Sequence, residues 1–300
     1  MEDYSQVEVG DNSLFVGIYD GHDGTNAAKF ISGLIHENYN VMDDKLLSEA
    51  VAATEQKFTD VVNDNKDTNP NIMHMGSSCL IALIWNGTLY IANLGDSQVV
   101  LGRTYHTLGQ AHTKLQAIRL SNCAGQFTRV ALQRLFPDNT ILLNNENGWK
   151  FKDLSKVTGT IGDVYLKTYL SNLRDISLPS YRFVLTSEPM LNSRFLRYGD
   201  QFFILASRGF WEIMTVEEAV SIVKIVKRQS RRGIAKILLR KALEKVAAKE
   251  KMSYKDIVRS ADRMKFHDDI TIIVVFIGLR RSLWKRNVPK KLSCKAPTHA

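Results

Sequence analysis

Cysteine is scarce in this chain: three in 300 residues, at Cys79, Cys123 and Cys294. None stands in a CxxC or Cys/His spacing, so neither a disulfide framework nor a zinc site is expected, and a reducing compartment, cytoplasmic or nuclear, fits. Proline is scarce too, at six, and no Pro/Gly/Ser-rich linker divides the body. One domain over residues 1–279 is therefore expected. Long apolar runs are missing: the longest, ITIIVVFIGL at 270–279, has strand length and is too short to span a bilayer. The opening residues, MEDYSQVEVGD, contain no apolar stretch of the kind a secretory signal carries. What residues 280–300 lack is acid. They hold Arg280, Arg281, Lys285, Arg286, Lys290, Lys291 and Lys295 and no Asp or Glu; of 40 basic residues these seven lie in the tail, leaving 33 against 31 acidic ones in the body. The net charge of +9 thus describes a tail, and no nucleic-acid groove is evident in the body. The tail, basic and poor in apolar residues, reads as a disordered extension suited to an anionic surface or an import receptor.

What is present centres on LFVGIYDGHDG at 14–24. An apolar run ended by Asp20-Gly21 reads as a buried strand entering a tight turn, which leaves Asp20, His22 and Asp23 together at the strand end. A carboxylate beside an exposed carbonyl, here that of Gly21, is oxygen chemistry for a hard divalent cation; equally, Asp-Gly is common turn punctuation.

Along the chain, helical spacing of apolar residues predicts helices over 25–39 and 43–64. SSCLIALIW and TLYIANL, joined by Asn86-Gly87, predict a β-hairpin with a type I′ turn. Gly95-Asp96-Ser97 interrupts before another strand, QVVLG. Residues 126–136 read as a helix stopping at Pro137, and 138–182 as loop and short strand. QFFILAS at 201–207 reads as a buried strand. Thr215-x-x-Glu218 is a capping box for a helix to about 228, followed by a helix from Gly233 to about 250 and a short one near Ser253. Phe266-His267-Asp268-Asp269 leads into a final strand.

Six segments stand in order: DGH (20–22), GTLYIANLGDS (87–97), IGDVYLK (161–167), LTSEP (185–189), FILASRGFWE (203–212) and HDDIT (267–271). Together they resemble the type-2C metal-dependent serine/threonine protein phosphatases, the plant subgroup in particular, over residues 2–278. The resemblance implies an α+β fold of two packed antiparallel β-sheets flanked by helices. It also implies a centre of two Mg²⁺ or Mn²⁺ ions that generate an attacking hydroxide. By position, Asp20 would be the bridging carboxylate, Gly21 would give its carbonyl, Glu2 or Asp3 would bind one ion, and Asp268 would be the C-terminal metal carboxylate. His22 would be the acid that protonates the leaving oxygen.

Several departures from the family pattern fall on that chemistry. Where the family has a metal-ligand Asp after Ala-Ser, this chain has Arg208. A guanidinium has no lone pair for a metal and is always protonated. The family's side-chain ligands sum to −4; Glu2, Asp20 and Asp268 with Arg208 sum to −2. A fixed positive charge about 5 Å from a dication costs several kcal/mol even at a dielectric near 20. Met1 directly precedes Glu2-Asp3, so the resemblance implies that the family's leading strand and its phosphate-gripping Arg are absent, leaving a sheet edge uncovered. Asp23 stands where Gly is usual, Thr158-Gly159 replace Ser-Arg, and Ser121-Asn122-Cys123-Ala124 replace an acidic-His stretch associated with a third metal, of which Glu212 is a remnant. The expectation is a monomeric, catalytically inactive or impaired phosphatase-like protein that holds a phosphoprotein or signalling partner; the alternative is a weakly active Mg²⁺/Mn²⁺-dependent phosphatase. The expected role of Arg208 is a counter-ion to Asp268, Asp20 or Asp23.

Overall fold

The structure is a computed structural model. It describes residues 2–10, 13–34, 44–106, 113–121, 142–145, 148–151, 159–172, 186–227, 233–260 and 262–278. The expected helix at 126–136, the five residues at 35–39 and the basic tail at 280–300 lie outside the described residues.

Two antiparallel sheets form the body. The first is built from β1 (Tyr4–Val9), β2 (Ser13–Tyr19), β5 (Cys79–Trp85), β6 (Thr88–Leu94) and β12 (Met190–Phe195), in that spatial order. The second has the order β14 (Ile272–Phe276), β13 (Asp200–Ala206), β7 (Gln98–His106) and β8 (Thr113–Arg119). Between them lies an apolar layer: Leu14, Val16, Ile18, Leu80, Ala82 and Ile91 from one sheet meet Val99, Leu101, Phe203, Leu205 and Val275 from the other. Strands with both faces buried carry apolar residues continuously, which is why β5 reads CLIALIW.

Helices close the outer faces. Helix α1 (Asn26–Leu34) and α2 (Asp44–Asn65) cover the first sheet, burying Ala27, Ile31, Leu47, Val51 and Phe58 against Ile81 and Ala92. A further helix, α3 (Val164–Asn172), follows the β11 strand (Ile161–Gly162), and α4 (Arg208–Trp211) is a single turn leaving β13. Helices α5 (Val216–Lys227) and α6 (Ile234–Lys249) cover the second sheet through Ala219, Val220, Val223, Ile234 and Leu238; α7 (Tyr254–Arg259) packs Ile257 beside Val246 of α6. The result is the expected α-β-β-α sandwich. No helix among the described residues is long and apolar enough to cross a membrane.

Local signals are realised in place. Asn86 and Gly87 take positive φ of 47° and 79°, as a type I′ turn requires. In the capping box, the Glu218 N–H donates to Thr215 Oγ1 at 3.2 Å and the Thr215 N–H donates to Glu218 Oε2 at 2.9 Å. Strand β1 was not signalled: YSQVEV is half polar, because it lies at a sheet edge paired only with β2, Tyr4 opposite Tyr19 and Val9 opposite Leu14. A small sheet matters most for the site. Its strands β3 (Gly21–His22), β4 (Gly76–Ser77) and β11 bring the DGH and IGD segments together across β4. The remaining pair, β9 (Leu142–Asn145) with β10 (Gly148–Phe151), forms a two-stranded antiparallel sheet.

Candidate functional site

The site forms where strands of both sheets end. Asp20 follows β2, Asp96 lies in the turn between β6 and β7, Arg208 follows β13, and Asp268 precedes β14. The chain beyond β13 is held by Ser207, whose hydroxyl accepts the Thr271 N–H at 3.0 Å and donates to the Asp269 carbonyl at 3.2 Å. Gly209 is obligatory here, since a Cβ would lie 2.2 Å from the Asp269 oxygen. These contacts fix Arg208 beside Asp268.

The Arg208 guanidinium donates through Nη2 to Asp268 Oδ2, in a short charge-assisted bond. Its Nε lies 3.6 Å from Asp96 Oδ2 and 4.0 Å from Glu212 Oε1. Burial works against the Arg208 charge, but Asp96, Asp268 and Glu212 hold the guanidinium more firmly protonated than usual. Burial raises Asp96, with Arg208 opposing; burial, then the charges of Asp3, Asp96 and Asp268, push Asp20 well above the usual carboxylate range, again with Arg208 opposing. The expected counter-ion role is thus realised with Asp268 and Asp96 as direct partners, and Asp20 feels the charge from further off.

Asp3 is buried, receives the Thr271 hydroxyl at 2.7 Å, and is pushed up to about 6 by burial and then by the Asp269 and Asp268 charges despite that hydrogen bond. Glu2 turns its carboxylate onto the Gly24 N–H at 3.1 Å, while its own N–H donates to Asp269 Oδ2 at 2.6 Å. Asp269 also takes Arg263 Nη2 at 2.6 Å. His22 Nε2 lies 2.8 Å from Asp163 Oδ1. Burial pushes the imidazole down, but the hydrogen bond and charge of Asp163 outweigh it, and the net shift is upward. Asp163 sits at a φ of 51°, on the turn after β11. Gly76 permits this approach, since a Cβ there would lie 2.5 Å from Asp163 Oδ2 and 2.6 Å from His22 Nε2.

The structure therefore brings Asp20, Asp268, Asp3 and Arg208 to one strand end, with His22 beside them and Glu212 at the exposed rim. Sequence reasoning missed two members. Asp96 was visible only as an interruption between strands, and Asp163 only as part of the IGD segment; neither carried a sign of its long-range partner.

The type-2C phosphatases generally use Mg²⁺ or Mn²⁺. Among the described residues, no three His, Cys, Asp or Glu side chains are arranged to hold a metal ion. Asp268, which would be a ligand, is instead bonded to a guanidinium. This donor set does not fit the two-ion centre.

A family model described as Protein phosphatase 2C matches residues 4–251. The chain is 40% identical over 294 residues to the "Probable protein phosphatase 2C 43" of Oryza sativa subsp. japonica, covering 92% of this chain and 74% of that protein. It is 37% identical over 319 residues to the "Probable protein phosphatase 2C 68" of Arabidopsis thaliana, covering 100% and 80%. Among solved structures, the serine-threonine phosphatase 2C of Toxoplasma gondii superposes with a TM-score of 0.63 at 17% identity, over 92% of this chain and 90% of that one, a likeness of fold. On the family match and the two plant relatives together, the chain belongs to the protein phosphatase 2C family.

Proposed function

We propose that this member of the family is catalytically inactive or severely impaired, and that it acts by holding a phosphoprotein or signalling partner in a site that does not turn it over. The observation that carries this reading is the Arg208–Asp268 bond, with Asp96 as the second neighbour. A guanidinium occupies the position of a ligand and neutralises the carboxylates that would concentrate a dication. The basic residues of 280–300 would add an electrostatic contact with an anionic surface or an import receptor, in cytoplasm or nucleus.

The test is hydrolysis of a phosphothreonine peptide with Mn²⁺ or Mg²⁺, beside a family member that keeps a carboxylate at the position of Arg208. The expected rate is lower by on the order of a hundredfold or more, the scale of losing a transition-state charge stabiliser. A comparable rate overturns the proposal.

The second reading, weak Mg²⁺/Mn²⁺-dependent phosphatase activity, is favoured by specific features. The His22–Asp163 pair is intact, and Asp3 Oδ1 and Asp96 Oδ1 are buried with no hydrogen-bond partner. Slow, metal-dependent turnover abolished by His22→Ala would select this reading.

A further inference from the structure

Asp163 reaches His22 from an unusual backbone. Gly162 and Asp163 take consecutive positive φ of 91° and 51°. Only glycine fits at the first of these, since a Cβ would lie 2.4 Å from the Met75 carbonyl oxygen and 2.9 Å from the Phe58 ring. Such a conformation persists where the surroundings over-determine it. Strand β11 supplies little of that: it is two residues long and pairs with the equally short β4, Ile161 opposite Ser77 and Gly162 opposite Gly76.

A second hold comes from helix α2. Glu55 Oε2 accepts the Gly162 N–H at 2.9 Å, and Glu55 Oε1 accepts Lys167 Nζ at 2.5 Å. Lys167 Nζ also donates to the Thr160 carbonyl at 2.8 Å, and the Lys167 N–H donates to the Asp163 carbonyl at 3.0 Å. One carboxylate thus grips both ends of the segment that carries Asp163 and, through Lys167, the residue ahead of β11. The Asp163 N–H is itself tied to β4's approach, donating to the Met75 carbonyl at 2.9 Å. Phe58, buried about one turn further along α2, stands against Gly162. The Glu55 and Lys167 side chains are 15% and 18% exposed, so water competes weakly for these charge-assisted bonds.

A glutamate that only paired with a lysine would have no need of a backbone N–H. This one divides its two oxygens between the lysine and the amide of the residue before Asp163. We propose that Glu55, with Lys167, positions the His22–Asp163 pair: it fixes the Gly162 amide and the Thr160 carbonyl, and so aims the Asp163 carboxylate across β4 at His22. It makes no hydrogen bond of its own to either side chain. A turn released from Glu55 would let Asp163 return to negative φ and carry its carboxylate away from Gly76, over which it now reaches His22. The inference concerns the geometry of the pair and stands whether or not the chain turns a phosphoprotein over.

The test reads the bonded proton. A carboxylate accepts, so the proton between His22 and Asp163 sits on Nε2, and NMR of the full chain should show it as a downfield imidazole N–H resonance that His22→Gln removes. Glu55→Ala should move that resonance upfield and speed its exchange with water on the order of tenfold or more, the scale of a lost charge-assisted bond, while the circular dichroism spectrum is kept. Glu55→Gln, which keeps an oxygen for the Gly162 N–H, should lie between Glu55→Ala and the wild type. Lys167→Met serves if Glu55→Ala unfolds, and should shift the resonance in the same direction. Leu47→Ala, a core truncation about two turns earlier on α2, lowers stability without touching the turn and should leave the resonance in place. A resonance unmoved by both Glu55→Ala and Lys167→Met, or moved as far by Leu47→Ala, overturns the proposal.

Discussion

Arg208 stands between Asp268 and Asp96, bonded to the first and 3.6 Å from the second. Both carboxylates come from segments far apart in the chain, and each would repel the other without a cation between them. In this chain the guanidinium of Arg208 supplies a positive charge between them.

The His22–Asp163 pair gives a first prediction. His22 is raised on balance because the Asp163 hydrogen bond and charge outweigh the desolvation that works the other way. Asp163→Asn removes the charge and suits the positive φ of that position. The His22 pKa, read from imidazole proton shifts by NMR, should then fall below that of ordinary histidine. An unchanged value would mean that Asp163 does not set it.

Asp3 gives a pH dependence. Its carboxyl titrates near 3.8 when unfolded and about 6 when folded, so the folded state binds the proton more tightly. Between those values the native chain carries more protons than the unfolded one, and stability falls as pH rises. The contribution is fully present below about pH 4 and gone above about pH 6, a difference on the order of 3 kcal/mol. Denaturant melts in chelator across this window should show a decline that Asp3→Asn flattens. A rise in the same window that Asp3→Asn leaves unchanged would contradict this.

Gly209 tests how the Arg208 contact is held. An added Cβ would meet the Asp269 oxygen at 2.2 Å and the Asp268 Cβ at 3.1 Å. Neither is a flexible side-chain end, so the turn or the 268–269 segment must move. Gly209→Ala should destabilise by about 1–3 kcal/mol, the range for overpacking a buried contact. Chemical denaturation checks it; a loss within experimental error would show that the segment yields freely.

The sandwich was legible because burial writes itself into composition. CLIALIW, Asn86-Gly87 and TLYIANL specify two buried strands and their turn with no long-range information. Thr215 and Glu218 announce their helix in the same way. Strand β1 was not legible, since YSQVEV is held at an edge by pairing with β2 and only partly by burial. At the site, the six ordered segments located Asp20, His22, Arg208 and Asp268. Partner choice did not follow from them. Asp96, not Asp23, is the second carboxylate of Arg208, and Asp163 reaches His22 only because β4 draws β3 and β11 together. Those are facts of topology that local patterns do not encode.

Arg208 itself gives the last prediction. Replacing it with Met keeps much of the volume and removes the charge, leaving Asp268 and Asp96 without their cation. In chelator this should cost about 1–3 kcal/mol, the scale of leaving polar groups unpartnered. Arg208→Asp should be worse in chelator, since a third carboxylate joins two others already in mutual repulsion. With Mn²⁺ the order should invert. The aspartate supplies oxygen ligands and shifts the local charge by two units, so Mn²⁺ should raise the melting temperature of Arg208→Asp and leave that of Arg208→Met nearly unchanged. Calorimetric titration should show Mn²⁺ binding tightened at least tenfold over the wild type. Phosphatase activity should recover only in part, because Asp23 and Thr158-Gly159 still depart from the family pattern. Two tight Mn²⁺ sites in the wild type would remove the reason for the experiment, and full activity in Arg208→Asp would place the whole impairment on this one side chain.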